Sequence, residues 1–187
     1  METHPTLEGF NLEWVSKIDN RGSANVSRII MENHVGTHVD VPYHFINKGK
    51  TMEEIELSRF MGESELIEVP PGEEVKEQLF STRYSGKEVV LFKFYKESYK
   101  EGRNYFNTEI KNTFAKNNIN LVGVNTFSVD KAPGEAKVHR AFLKNDILIV
   151  EGLNLKSLEG KFYYFICLPL ALKGAEGSPA RAVLITS

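Results

Sequence analysis

Three of the chain's five histidines fall in one stretch, NHVGTHVDVPYHF (Asn33 to Phe45), together with Asp40. Imidazoles and carboxylates are the ordinary protein ligands of borderline divalent ions such as Zn²⁺ and Mn²⁺. The His34/His38 spacing would suit a helix face. However, Gly36, Pro42 and the β-branched Val35, Thr37, Val39 and Val41 disfavour a helix. An extended chain is therefore expected. It puts His34, Gly36, His38 and Asp40 on one face and Val35, Thr37, Val39 and Val41 on the other, so that one face offers ligands and the other offers core. Gly36 would then leave room for an ion or substrate between the two histidines. Burying three imidazoles and a carboxylate without a partner would be costly, which favours metal binding over structural histidines. More ligands are needed than one strand supplies, and His139 and Glu151, at the end of the apolar run DILIV, are the remaining candidates. Either alone reads equally well as an ordinary structural or solvated side chain.

The elements that must hold these residues are mostly strands. Strand-like runs are NVSRIIMENHVGTHVDV, SELIEV, EVVLFKFY, LVGVNTF, DILIVEGL, KFYYFICLPLAL and ARAVLITS, separated by Gly, Pro, Asn and Asp. Helices are expected at EIELSRFM (54–61), TEIKNTFAKNN (108–118) and KVHRAFLKN (137–145). In the second of these Thr108 is the expected cap and Asn117-Asn118 the exit. Strands alternating with short helices imply an α/β (mixed) domain built on a mixed sheet.

The length of 187 residues suits one domain, read as spanning 1–187. A net charge of -2 with dispersed Lys and Arg argues against a nucleic-acid partner. No apolar run reaches the roughly 20 residues of a membrane helix, and METHPTLEGF lacks the features of a secretory signal, so a cytoplasmic protein with no membrane partner is expected. The lone Cys167 lies in FYYFICLPLAL and reads as a small buried thiol. Ser128 lies in no nucleophile-elbow motif. Gly174, Gly177, Ser178, Pro179 and Arg181 read as a turn before the last strand, with an anion-binding loop as the alternative.

The chain resembles the cyclase family of metal-dependent hydrolases, which includes bacterial kynurenine formamidase and isatin hydrolase. The resemblance rests on His-x-Gly-Thr-His-x-Asp-x-Pro-x-His at His34 to His44, LVGVNTFSVD at Leu121 to Asp130, His139 with Glu151 in IVEGLNL, and LPLALKGAEGSPARAVLI at Leu168 to Ile185. It covers nearly all of Asn25 to Ile185. It implies a β/β/α swivelling-type fold and a homodimer or homotetramer. It also implies His34, His38, Asp40, His139 and Glu151 as ligands of one or two divalent ions, Zn²⁺ or Mn²⁺, with Asp40 able to bridge and His44 as the catalytic histidine. The implied activity is hydrolysis of an amide or cyclic amide in a small-molecule substrate by metal-activated water. Lactone or imide opening, or a cyclisation, in the same pocket is one alternative. A non-catalytic metal-binding structural protein is the other.

Three departures from the family pattern bear on the pocket. The family's opening segment is shortened to METHPTLEGFNLEWVSKI, Asn125 stands where many members carry an Asp, and LFKFYKESY replaces a stretch ending in Thr-Gly-Trp. An intact metal site in a non-standard pocket is the expectation.

Overall fold

The computed structural model describes residues 7–95, 104–132 and 134–186. In chain order the strands are β1 (Phe10–Ser16), β2 (Val26–Met31), β3 (His38–Asp40), β4 (Met61–Val69), β5 (Glu74–Val75), β6 (Val89–Phe94), β7 (Tyr105–Phe106), β8 (Leu121–Val124), β9 (Leu148–Glu151), β10 (Phe162–Pro169) and β11 (Gly177–Ile185). The helices are α1 (Glu77–Ser81), α2 (Ile110–Lys116) and α3 (Lys137–Leu143). The fold is the mixed α/β arrangement expected, but its sheet closes on itself. The order β10-β11-β3-β9-β8-β6-β4 returns to β10 and forms a barrel. β4, β6, β8 and β9 run parallel, while the pairs through β3, β10 and β11 are antiparallel. β1 and β2 form a separate hairpin, and β5 and β7 a short parallel pair.

The parallel strands are apolar throughout because both of their faces are covered. VVLFKF, LVGV and LIVE are buried almost without a break. Side chains on alternate positions go to two cores. Val39, Leu66, Leu91, Leu121, Val150, Phe165 and Cys167 come from strands around the whole barrel and fill its interior. Phe92, Val122, Val124 and Ile149 point the other way, against Phe80, Ile110, Phe114 and Phe142 of the three helices.

Several local expectations are corrected. The run 25–41 is not one strand: Gly36 takes φ +71 and the chain turns between β2 and β3. Residues 54–61 form no α-helix. They contribute to two 3-10 turns, Met52–Glu54 and Leu57–Phe60, and to the start of β4, because Thr51 and Glu54 close a capping box that ends after one turn. α1 and the hairpin strand β1 were not foreseen. Ahead of α2 it is Asn107, not Thr108, whose side chain accepts the Glu109 N–H, at 2.9 Å. The exit at Asn118, with φ +55, is as expected.

Candidate metal centre

β3 brings two donors together by strand geometry alone, since His38 and Asp40 are two apart and share a face. In the antiparallel pairing His38 lies opposite Glu151, the last residue of β9. His34 reaches the same point from the turn before β3, and His139 from α3. The His34 Nδ1 to Asp40 Oδ1 distance is 2.9 Å, and His38 Nε2 lies 3.5 Å from both Asp40 Oδ1 and Glu151 Oε2. His139 Nε2 lies 3.3 Å from Asp40 Oδ2 and 3.1 Å from Glu151 Oε1. All five expected ligands therefore converge, although the continuous strand expected to align them does not exist.

Two glycines make the convergence possible. Gly152 has φ +68, and a Cβ there would lie 2.5 Å from the Gly36 carbonyl oxygen. The Thr37 hydroxyl donates to the Gly152 carbonyl at 2.6 Å and locks the two segments together. Gly36 thus serves a close backbone contact with Gly152. At Gly177 a Cβ would lie 2.7 Å from His34 Cε1, so this glycine makes room for the imidazole. Ser178 accepts from Leu170 N and donates to the Pro179 carbonyl, both at 2.9 Å, and Arg181 lies opposite Leu168 of β10; Gly177 to Arg181 are thus part of β11 itself, and only Gly174 keeps the expected place in a turn before the last strand.

Each inward-facing imidazole has an acceptor behind it. His38 Nδ1 donates to the Gly36 carbonyl at 2.9 Å, His34 Nε2 lies 3.1 Å from Glu176 Oε1, and His139 Nδ1 lies 2.5 Å from Asp130 Oδ2. Burial opposes the charged form of His34, but the Asp40 and Glu176 carboxylates outweigh it and push the pKa up to about 9. The same contest raises His38 and takes His139 well above the usual histidine range, with Glu151 the leading carboxylate for each. Burial would raise Asp40 and Glu151, but the neighbouring imidazoles hold both below the usual carboxylate range.

The donor set fits a divalent cation. Asp40 is fully buried, and its Oδ2 makes no well-formed hydrogen bond despite His139 Nε2 nearby. A buried carboxylate oxygen without a donor calls for a cation. Asp40 turns Oδ1 toward His34 and His38 and Oδ2 toward His139, so it faces two positions at once. Within the cluster, His34, His38 and Asp40 have the spacing to share an ion, as do Asp40, His44 and His139.

His44 sits beside this set. Pro42 opens the 3-10 turn Pro42–His44, which redirects the chain, and the His44 ring stacks on His34 at 4.1 Å. Burial, the largest influence, pushes its pKa down to about 4, so at neutral pH it is an uncharged acceptor. It lines a cavity of about 220 Å³ with Phe45, Phe127, Ala132, Glu135 and Leu7, and the ligand residues form one wall.

Asp130, Glu176, Phe45 and Phe127 were not singled out from the sequence. Asp130 and Glu176 stand inside motifs already quoted, but a carboxylate's partner is a matter of tertiary contact. Asn125 bears on the site less than expected. Its side chain accepts from Phe94 N at 2.8 Å and donates to Phe94 O at 2.9 Å, joining the ends of β6 and β8. An Asp could not supply that donor. Residues 96–99 of LFKFYKESY and residues 1–6 lie outside the described residues. Cys167 is buried, with its thiol pushed up to about 12 by burial.

A closed mixed barrel with a buried His/Asp/Glu cluster at the wall of an apolar cavity is an arrangement suited to holding a divalent ion beside a small-molecule site. The chain belongs to the Cyclase family, whose model matches residues 2–131. It is 32% identical to a kynurenine formamidase of Bacillus cereus, over 97% of this chain and 90% of that protein. It is 31% identical to the kynurenine formamidase of Bacillus mycoides over the same shares. Among solved structures, isatin hydrolase A of Labrenzia aggregata superposes with a TM-score of 0.79 at 20% identity, covering 100% of this chain and 88% of the other.

Proposed function

We propose that this protein is a metal-dependent amide hydrolase of the kynurenine formamidase type, and that His34, His38, Asp40, His139 and Glu151 hold one or two divalent ions, Zn²⁺ foremost and Mn²⁺ next. The observation that carries the reading is the convergence of these five side chains around a buried Asp40 whose Oδ2 lacks a donor. A bound divalent ion supplies water whose pKa is lowered from about 15.7 toward about 7 and polarises a carbonyl. His44, uncharged at neutral pH, takes a proton from water at a ring nitrogen and delivers it to the leaving nitrogen of the amide. Phe45 and Phe127 offer an apolar wall that excludes bulk water and suits an aromatic ring. The reading includes a cytoplasmic setting and assembly as a homodimer or homotetramer. The second is supported by the hairpin, where Phe10, Leu12, Trp14 and Ile29 are exposed.

The test is formate release from N-formylkynurenine by chelator-treated protein reloaded with Zn²⁺ or Mn²⁺, beside an isatin ring-opening assay. Metal-restored formate release is expected. Turnover of isatin alone moves the substrate to cyclic amides, and turnover of neither by fully loaded protein overturns the amide hydrolase reading.

A further inference from the structure

We propose that Asp130 is a positioning residue of the metal centre: its carboxylate holds His139 Nδ1 so that the ring presents Nε2, and no other atom, to the ion. The proposal rests on the metal-centre reading above.

Asp130 is 1% exposed, in the segment between β8 and α3, and its Oδ2 lies 2.5 Å from His139 Nδ1. With the Nδ1 proton given to Asp130, the lone pair of the ring is on Nε2. That nitrogen faces Glu151 Oε1 at 3.1 Å and Asp40 Oδ2 at 3.3 Å. A lone pair aimed at two carboxylates is repelled unless a proton or a metal ion lies between them. The Asp130 contact thus dictates both the tautomer and the occupant. Of the three acceptors behind the imidazoles, the Gly36 carbonyl is uncharged and Glu176 is 36% exposed in its side chain, whereas Asp130 is a buried carboxylate. Charge behind a ligand imidazole raises its basicity most where water does not screen it.

A competing role is structural, since Asp130 Oδ1 accepts from Val138 N at 2.8 Å and Oδ2 from His139 N at 3.4 Å, which anchors the start of α3. Asp130→Asn separates the two. An Asn oxygen still accepts from Val138 N. The amide then falls where Oδ2 was and donates to Nδ1, which moves the imidazole proton to Nε2 and blocks the ligand position.

Zn²⁺ affinity measured by competition with a chromogenic chelator is expected to fall about 10–100-fold in Asp130→Asn. The visible spectrum of the Co²⁺ form should change, and the loss of metal affinity should exceed any loss of stability measured in excess chelator. Wild-type affinity and an unchanged Co²⁺ spectrum in Asp130→Asn would leave only the helix anchor and overturn the proposal. A measurement on the unaltered protein stands even if the variant does not fold. In the Zn²⁺-loaded, ¹⁵N-histidine-labelled protein, His139 should show a slowly exchanging Nδ1–H and a metal-shifted Nε2, and ligation through Nδ1 overturns the assignment. If the unaltered protein takes up no metal, the metal-centre reading itself fails, an outcome distinct from loss of the Asp130 role alone.

Discussion

At the scale of single residues, Asp40 and His44 divide the work between holding the ion and moving protons. Asp40 touches three of the four other proposed ligands, so Asp40→Ala is expected to remove metal and activity together. His44 stacks against His34 and, among the described residues, makes no hydrogen bond or ion pair with a carboxylate, so His44→Ala should keep its metal and lose roughly 10²–10⁴-fold in kcat, as when a positioned acid or base is lost. Metal analysis and kinetics on the two variants check the contrast, and equal metal loss in both would make His44 a ligand. A pH dependence follows for the metal-free protein. His34 titrates near 9 when folded, against 6.5 when unfolded, so its contribution is complete below pH 6.5 and vanishes as pH rises through 9. Asp40 and Glu151, both lowered, contribute above their ordinary values of 3.8 and 4.5 and lose that contribution as pH falls through the folded values. Chelated protein should therefore melt at its highest temperature near pH 6.5, lower toward pH 9 as His34 loses its proton, and lower also as pH falls from 6.5 toward 4, where the unfolded chain protonates His44 and the folded chain does not. Metal binding must displace these protons, so loaded protein should hold its melting temperature to higher pH and release protons on loading, readable by calorimetry in buffers of different ionisation enthalpy.

At the scale of elements, the centre depends on the contact between the turn before β3 and the end of β9. A methyl at Gly152 would enter the Gly36 carbonyl, with backbone on both sides and nothing flexible to yield. Gly152→Ala is also strained at φ +68 and should cost about 1–3 kcal/mol, visible in denaturant melts, together with weakened metal binding because His38 and Glu151 separate. Gly177→Ala should act differently. The methyl meets the His34 ring and the Val39 carbonyl, so loss of metal affinity is expected to exceed loss of stability in the chelated protein.

At the scale of the whole molecule, the hairpin is the part the barrel does not account for. Among the described residues β1 pairs with β2 alone, and Phe10, Leu12, Trp14, Ile29 and Met31 share one face by alternation and register. A lone two-stranded hairpin is marginal in water. A groove of about 940 Å³ between that face and the barrel, lined by Val35, Leu153 and Leu170, extends the apolar surface. Under the homo-oligomer proposal, light scattering should give a multiple of 21.2 kDa, and Leu12→Asp with Trp14→Asp should return the monomer mass with the barrel's metal content unchanged. An unaltered mass in that double variant would move the assembly to another surface.

The donor types, their concentration between His34 and His44 and the apolar parallel strands are local in the sequence, and so were legible there together with the α/β class. Residue type and a period of two need no partner to be recognised. His38 and Asp40 share a face for that reason alone. What the tertiary structure decided is everything that depends on which segments meet. Barrel closure follows from the β10–β4 pairing, His34 enters from a turn made possible by Gly36 and Gly152, and Asn125 is spent on Phe94. Asp130 backs His139 only because α3, packed against β9, brings His139 to the segment that follows β8. Hydrogen-bond partners and close backbone approaches are set by packing across chain-distant segments, and no local pattern of residue types encodes them.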